Sequence, residues 1–382
     1  MPWLETDPMT QRLQFVYDVQ RGLFTMQELC ARYGISRSNG YKWLDRFAEE
    51  GRPGLQERSR APQSCPHRIG AAVEAQLLAL RRAHPTWGPR KLRDLLLERE
   101  PGQAWPAAST IGDLFQRHGL VKRRRRRRPI QHPGSVPPTT QRPNDLWTAD
   151  FKGHFKTGDG IYCYPLTIAD QHTRYLLACQ GLPSIEGIGA RAVFTHVFRE
   201  YGLPGAIRTD NGVPFATTGI HGLSKLNVWW MHLGIQHQRI RPASPQENGA
   251  HERMHRTLKA ETLRPPRATR LAQQRVFNRF RVEYNTERPH EHLKGRPPGR
   301  AYQPSPRSYP EQLPAIDYPG HYLVKRVTNA GTIRFKRKLL FLAKPLQQLP
   351  VGLEEVEDGI WSIHFNRVLL ARFDEREYVL HD

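Results

Sequence analysis

The 382-residue sequence has little cysteine, and its four cysteines are widely spaced: Cys30, Cys65, Cys163 and Cys179. Thiols scattered in this way exclude a disulfide framework and a cysteine-rich zinc site, and we expect them to be small buried side chains. The sequence also lacks an apolar run near the roughly 20 residues of a membrane span, and its start lacks the apolar segment of a secretion signal. We therefore expect a soluble protein in a reducing compartment.

Acidic residues are scarce as well, with 36 Asp and Glu against 58 Lys and Arg, for a formal charge of +22. This excess is larger than solubility requires, and a strongly basic soluble protein most often binds a polyanion, commonly nucleic acid. The hydrophobic fraction of 38% argues against wholesale disorder and is sufficient for several modest cores. The length predicts two to four domains.

Residues 1–62 predict a helix-turn-helix DNA-binding domain. Thr25 and Glu28 form a capping-box pattern before a helix that should end at Gly34. The helix that follows should direct Tyr41, Leu44 and Phe47 inward. Its outward polar residues, which we expect to contact DNA, are Arg37, Asn39, Lys42 and Arg46. The alternative is a small helical adaptor with a solvated basic face.

A second helix-turn-helix-like domain is expected over residues 67–121. One helix should follow Trp87-Gly88-Pro89, and another should be capped by Ser109 or Thr110 and end at Gly119. Residues 122–142 form a basic and proline-rich linker. Its unbroken basic run, which we expect to act both as a tether and as a clamp on DNA phosphates, is Lys122, Arg123, Arg124, Arg125, Arg126, Arg127 and Arg128.

Residues 143–300 alternate between strand-like and helix-like segments, which predicts an α/β domain with a sheet of mixed direction. The expected strands are 146–155, 161–168, 175–179, 206–209 and 235–240, and the expected helices are 192–201, 223–233 and one that starts near Glu247. Residues 301–382 predict a small β-barrel, with strands at 322–327 and 332–338. The Pro- and Arg-rich stretch 288–314 should be a linker on the surface.

Three acidic residues fall where this α/β pattern would bring them together. Asp150 lies on the first strand, Asp210 ends a strand before an Asn-Gly turn, and Glu252 lies one turn into the last helix. On that helix, Ala250, Met254 and Leu258 should face the core, whereas Asn248, Arg256 and Lys259 should share the open face of Glu252. Three carboxylates without cysteine suit Mg²⁺ or Mn²⁺, and two such ions can catalyse phosphodiester displacement.

The sequence resembles the DDE transposases of bacterial insertion sequences. The resemblance rests on four blocks in the family's order, behind a helix-turn-helix region: Trp147-Thr148-Ala149-Asp150-Phe151-Lys152-Gly153, Thr209-Asp210-Asn211-Gly212-Val213-Pro214-Phe215, Ser244-Pro245-Gln246-Glu247-Asn248-Gly249-Ala250-His251-Glu252-Arg253 and Tyr284-Asn285-Thr286-Glu287-Arg288-Pro289-His290. These transposases share the catalytic core of retroviral integrases, so the resemblance implies a ribonuclease-H-like fold over residues 143–300.

The resemblance also implies an activity, namely metal-dependent cleavage at the ends of the element and transfer of the freed 3′-hydroxyl to target DNA. Asp150, Asp210 and Glu252 match the family's catalytic and metal-binding triad, and Lys259 matches a DNA-contacting lysine. The 41 residues between the second and third acids exceed the spacing of the family's shorter members. A loop insertion at 216–222 would account for the difference, since added loop length costs little.

The family further implies double-stranded DNA as partner, both as element ends and as target. It implies two Mg²⁺ or Mn²⁺ ions as cofactors, at least a homodimer on DNA, and a place in the bacterial cytoplasm with the nucleoid. A decayed transposase or repressor that binds DNA without cutting is an alternative function. A ribonuclease-H-like nuclease that hydrolyses without joining is another.

Other residues compete for the assigned roles. His251-Glu252-Arg253-Met254-His255 matches the H-E-x-x-H pattern of zinc proteases, but that reading leaves both aspartates unexplained. Glu247 is an alternative third acid, although a first-turn helix position explains it better. We expect Asp170 to cap a turn. We expect three tryptophans to pack in the core: Trp147, Trp229 and Trp230.

Overall fold

The computed structural model of the chain describes residues 7–59, 69–121, 140–217, 222–240 and 248–381. The chain divides into two compact units, Met1–Arg68 and Ile69–Asp382. Among the described helices, none is long and apolar enough to cross a membrane.

The first unit is a bundle of three helices, α1 (Pro8–Gln20), α2 (Met26–Arg32) and α3 (Arg37–Glu50). The expected capping box is present at α2, where the side chains of Thr25 and Glu28 each accept a hydrogen bond from the other's backbone N–H. The expected inward face of α3 was partly wrong, because Tyr41 is 52% exposed and Trp43 is buried instead. The buried face of α3 is rotated relative to the expected one because Gly40 packs closely against α2. A Cβ at Gly40 would lie 2.9 Å from the sulfur of Cys30.

The second unit opens with α4 (Ala71–Ala83), α5 (Pro89–Arg99) and α6 (Ala108–Arg117). These helices enclose their own apolar cluster, in which the leucines of α5 and the apolar residues of α6 meet Trp87. Ser109 and Thr110 do not cap α6, because the last extended residue before it is Ala107. They lie instead in its first turn.

The central domain contains a mixed sheet, as the sequence predicts. Its strands are β1 (Leu146–Phe151), β2 (Phe155–Lys156), β3 (Tyr162–Asp170), β4 (Leu176–Leu182), β5 (Ala206–Thr209) and β6 (Gln236–Arg239). Strand β1 is antiparallel to β3 and parallel to β5, and β5 is parallel to β6. Strand β4 pairs antiparallel with β3 on the side away from β1.

Helices cover both faces of this sheet: α7 (Gly187–Tyr201), α8 (Lys225–His232), α9 (Gly249–Thr262) and α10 (Arg270–Thr286). One core joins β1 to α7 and α8, and it contains the three tryptophans, as expected. A second core joins β3 and β4 to α9 and α10. Because side chains alternate along a strand, Trp147 and Ala149 face the first core, whereas Thr148 and Asp150 face α9.

The C-terminal region is all β, with an open sheet and a separate hairpin. Its strands are β7 (Leu323–Arg326), β8 (Thr332–Phe335), β9 (Lys338–Phe341), β10 (Pro350–Glu357), β11 (Ile360–Phe365), β12 (Val368–Asp374) and β13 (Leu380–His381). The sheet has the order β13-β12-β11-β10-β7, so β7 pairs with β10, and β8 pairs with β9. The strand pairs of the described residues do not close this sheet, and a closed barrel stays a prediction.

The stretch 288–314 lies largely on the surface after residue 302, as its composition predicts, but parts of it pack against the central domain. Arg288 is only 6% exposed, and the ring of Tyr302 stacks on Tyr175 at 4.2 Å between centroids. The Tyr302 hydroxyl donates to Oδ1 of Asn144, and the backbone N–H of Ser305 donates to the carbonyl of Tyr201. Ring stacking and hydrogen bonds to the central domain therefore hold this segment in place.

Candidate active site

Asp150 and Asp210 lie at the carboxyl ends of two neighbouring parallel strands. The register pairs Thr148 of β1 with Arg208 of β5. Continued by two residues on each strand, the same register sets Asp150 opposite Asp210. Neighbouring parallel strands end at the same edge of a sheet, which is where open α/β sheets commonly bind ligands.

The turn after β5 holds Asp210 at this edge. The backbone N–H of Gly212 donates to Oδ1 of Asp210 at 3.2 Å, and Nδ2 of Asn211 donates to the carbonyl of Ile240 at 2.9 Å. A Cβ at Gly212 would lie 3.1 Å from the other carboxylate oxygen. The glycine therefore allows the backbone to approach the carboxylate, and the asparagine ties the turn to the end of β6.

Helix α9 presents Glu252 because two histidines dock it on the sheet. The ring of His251 is hydrogen-bonded to Oγ1 of Thr148 at 2.8 Å and to Oγ1 of Thr167 at 2.7 Å. The ring of His255 is hydrogen-bonded to the same Thr167 oxygen at 2.6 Å. The face of α9 toward the sheet is His251, Met254, His255 and Leu258, and the exposed residues include Glu252, Arg256 and Lys259.

This docking face differs from the expected one in detail. Ala250 is only half-buried, and the two histidines occupy the positions closest to the sheet. Asn248, which we expected on the open face beside Glu252, is 6% exposed, and its Oδ1 has no partner among the described residues. The expected orientation of Glu252, away from the core, is nevertheless what α9 shows.

The three carboxylates interact electrostatically. Burial, together with the negative charge of Asp210 and, to a smaller extent, of Glu252, raises the pKa of Asp150 to about 7. Lys152 opposes this shift. Desolvation raises the pKa of Asp210 as well, against the donated N–H of Gly212. Like charges gathered in this way are stabilised by a bound cation.

The oxygen-only set fits a hard cation such as Mg²⁺ or Mn²⁺ rather than zinc. Within the described ranges, no three His, Cys, Asp or Glu side chains are close enough together to hold one metal ion. The acids thus converge on one edge of the sheet without forming a closed ligand set.

The competing assignments fare differently. A zinc site at His251 and His255 is not supported, because both nitrogens of His251 and Nε2 of His255 are hydrogen-bonded to threonine hydroxyls. Asp170 caps a turn as expected, since its Oδ2 accepts hydrogen bonds from the N–H and the hydroxyl of Thr173. Glu247 lies outside the described residues.

Sequence reasoning missed the four residues that dock α9. Thr148 and Thr167 lie on adjacent strands, and His251 and His255 are one helical turn apart. The available signal was that the two histidines share a helix face with Met254 and Leu258, which predicts that they are buried against the sheet. Their common partner, Thr167, could not be identified before the strand register was known.

The expected DNA-contacting residues of α3 differ in exposure. Arg37 and Lys42 are exposed, whereas Asn39 and Arg46 are half-buried. The guanidinium carbon of Arg46 lies 5.1 Å from the ring centre of Trp43. The basic run Lys122 to Arg128 lies outside the described residues. Contact of these residues with DNA stays a prediction.

Four domain-family matches cover most of the chain. A helix-turn-helix domain family matches residues 11–63, and a homeodomain-like domain family matches residues 39–115. Integrase core domain families match residues 140–245 and 233–298. The integrase core matches together contain β1 to β6, Asp150, Asp210 and Glu252.

Similar proteins include products of bacterial insertion elements. The chain is 30% identical over 233 residues to an uncharacterized 39.2 kDa protein of insertion element IS476 from Xanthomonas euvesicatoria, covering 60% of this chain and 64% of that protein. It is 28% identical over 233 residues to an uncharacterized 31.7 kDa protein of insertion element IS407 from Burkholderia multivorans, covering 60% of this chain and 79% of that protein. The match thus spans slightly less than two thirds of the first relative.

Among solved structures, the HTLV-2 integrase catalytic core domain in complex with magnesium aligns with 42% of this chain and 98% of its own, at 16% identity and a TM-score of 0.34. The helix-turn-helix domains, the integrase core and the insertion-element relatives agree with one another. The chain contains helix-turn-helix and integrase core domains and is similar to proteins of bacterial insertion elements.

Proposed function

We propose that the protein binds the ends of an insertion sequence, cleaves them in a metal-dependent reaction and joins the freed strands to target DNA. One observation carries this proposal. Asp150 and Asp210 occupy the ends of adjacent parallel strands, and α9 is docked on β1 and β3 so that Glu252 belongs to the same electrostatic group.

Each acid has a distinct support. Asp150 is held by β1, Asp210 by the Gly212 turn and Glu252 by a helix with two buried histidine anchors. Together they would hold two Mg²⁺ or Mn²⁺ ions, which when bound activate the attacking oxygen and stabilise the leaving oxygen of a phosphodiester. Lys259 and Arg256 lie exposed on the same helix as Glu252, and we assign them to the DNA backbone beside the scissile bond.

The proposed partners follow from the activity. The helix-turn-helix domains would bind the element ends as double-stranded DNA, with Arg37, Asn39, Lys42 and Arg46 in contact with the duplex. Two ends must be held together for transfer into one target, so we propose a homodimer or higher oligomer on DNA. Such a protein would work at the nucleoid in the bacterial cytoplasm.

The proposal is tested by incubating the protein and Mg²⁺ with a labelled duplex that carries the element's end and with target DNA. Covalent joining of label to target supports a transposase. Nicking without joining would identify a nuclease, and a mobility shift without products would identify a DNA-binding regulator.

Substitution of each of the three acids tests whether they form the catalytic site. Asp150→Asn, Asp210→Asn and Glu252→Gln should each abolish joining and leave binding of the end duplex within a few fold, because the substitutions keep the size of each side chain. Glu247→Gln is the matched control and should join normally. If Glu247→Gln lost joining while Glu252→Gln retained it, the third acid would be Glu247.

A further inference from the structure

A basic cavity lies on the other side of α9 from the acids. It has a volume of about 510 Å³ and is enclosed by α5, α9 and the segment that follows α10. Four cations line it, Lys91, Arg174, Arg253 and Arg288, against one carboxylate, Glu291. No sequence pattern groups these residues, because they come from four separate parts of the chain.

Two side chains that line the cavity have a buried nitrogen without a hydrogen-bond partner. Nη1 of Arg174 and Nε2 of His290 are both inaccessible to solvent and have no hydrogen-bond partner in the described part of the chain. A buried polar group without a partner is costly, and a charged one more so. In contrast, Nη1 of Arg288 is satisfied by Oε1 of Glu261 at 2.8 Å. Arg174 therefore keeps a guanidinium donor at the wall of the cavity that no acceptor in the described residues satisfies.

The cations are also held close enough to destabilise one another. Burial and the charge of Arg288 lower the pKa of Lys91 to about 8, although Glu261 and Glu291 oppose the shift. Burial lowers the pKa of His290 to about 3, with further lowering by Lys91 and Arg288. Arg174 has a backbone φ of +65°, a region that non-glycine residues rarely occupy. Strained backbone and crowded charges of this kind are frequent at ligand sites.

Helix α9 relates the cavity to the acids. Ala250, Arg253, Met254 and Thr257 line the cavity, whereas Glu252, Arg256 and Lys259 lie on the open face. At about 100° per residue these two sets are roughly 140° apart around the helix axis. The cavity and the candidate active site are thus separated by the width of one helix.

We propose that this cavity binds a backbone phosphate of the DNA strand that runs past the acids. That the ligand is DNA rests on the proposed function. That the cavity binds a phosphate rests on the side chains that line it. Guanidinium groups donate paired hydrogen bonds that match phosphate oxygens, and four cations around one cavity suit a phosphodiester in a chain of negative charges. The cavity would fix the register of the strand, so its residues position the substrate and do not touch the reacting atoms.

The first test uses inorganic phosphate as the probe and needs no DNA. Thermal unfolding of the full chain is measured in phosphate and in chloride of equal ionic strength, for wild type, for the double variant Arg174→Gln/Arg253→Gln and for the control Arg275→Gln. Arg275 is an exposed arginine on α10 outside the cavity. We expect phosphate to raise the Tm of wild type and control by about 2–4 °C and to leave the double variant unchanged.

The same measurement distinguishes a ligand site from a structural cluster. Without phosphate, the double variant should have a higher Tm than wild type, because two repelling charges and one unsatisfied donor are removed. A lower Tm in the double variant, or an equal response to phosphate in all three proteins, would overturn the proposal.

The second test identifies DNA as the source of the phosphate. End duplexes with a single neutral methylphosphonate are scanned through the positions near the cleavage site. Wild type should lose affinity at one position by at least about tenfold, and the double variant should be insensitive there. A wild type that responds to free phosphate but to no methylphosphonate would show that the cavity binds another anion, which overturns the DNA assignment.

These results separate the two proposals. If the chain does not join DNA but the double variant loses the phosphate response, the proposed function fails while the anion-binding cavity stands. If joining proceeds and all three proteins respond alike to phosphate, the cavity proposal fails alone.

Discussion

His255 lies against Asp150, with its Nδ1 3.6 Å from Oδ2 of the carboxylate and its Nε2 2.6 Å from the hydroxyl oxygen of Thr167. The imidazole of His255 therefore contacts both Thr167 on β3 and Asp150, the first acid of the candidate site. Because the same helix carries Glu252, this contact couples the position of the third acid to that of the first.

Removing the hydroxyl that both histidines share should loosen this arrangement. Thr167→Val leaves the Nε2 atoms of His251 and His255 without their common partner, and we expect the free energy of unfolding to fall by about 1–3 kcal/mol. Urea denaturation followed by tryptophan fluorescence measures the change. Thr195→Val, on a side of α7 exposed to solvent, is the control and should change stability by no more than about 0.5 kcal/mol. Equal effects of the two variants would contradict a docking role for Thr167.

Without metal, the raised pKa of Asp150 should make the protein less stable as pH rises. The folded chain keeps a proton on Asp150 up to about pH 7, whereas the unfolded chain loses it near its ordinary value of 3.8. Stability is therefore lost between about pH 4 and pH 7. In EDTA at pH 8, Asp150→Asn should be more stable than wild type by up to about 4 kcal/mol.

The comparison of variant with wild type matters here, because the buried histidines act in the opposite direction. The pKa values of His251 and His255 are lowered, so these residues add stability as pH rises toward 6.5. Asp358→Asn, at an exposed turn, is the control and should follow wild type. A constant difference between Asp150→Asn and wild type from pH 4 to pH 8 would show that Asp150 is ionised throughout. Added Mg²⁺ should stabilise wild type more than Asp150→Asn.

The first helix-turn-helix unit should depend on its capping box. In Thr25→Ala, the N–H of Glu28 loses its side-chain acceptor, and we expect a loss of about 1 kcal/mol in the stability of α2. Hydrogen exchange of the α2 amides in the full chain reports this loss locally. Gln27→Ala, at an exposed position of the same helix, should leave the exchange rates within a few fold. Identical protection in both variants would mean that packing alone holds the helix.

Two basic residues of α3 should behave differently on DNA. Lys42→Ala should weaken end binding and reduce the slope of log K against log salt by about 1, because an exposed lysine neutralises one phosphate. Arg46→Ala should also lower the Tm, since Arg46 is half-buried over Trp43. Fluorescence anisotropy over a salt series and thermal unfolding measure the two effects. An unchanged salt slope in Lys42→Ala would contradict the assignment of Lys42 to DNA.

Much of the fold follows from local patterns. The capping box at Thr25, the glycine after α2 and strand β5 at 206–209 were all predicted where they occur, because each depends on neighbouring residues. The inward position of Tyr41 was wrong, and the packing of parts of 288–314 against the central domain was not predicted, because burial depends on partners distant in the chain. Gly40 packs against Cys30, which changes the buried face of α3. Tyr175 stacks on Tyr302, which holds a proline-rich stretch against the central domain.

The sequence by itself determined the charge, the order of elements and the three acids in their motif blocks, since composition and short spacings record them directly. Only the tertiary structure decided that Asp150 continues the register opposite Asp210 and that His251 and His255 anchor α9 on the sheet. It also decided that four cations meet in one cavity, namely Lys91, Arg174, Arg253 and Arg288. Such relationships join residues far apart in the chain, and strand register and helix docking bring them together physically.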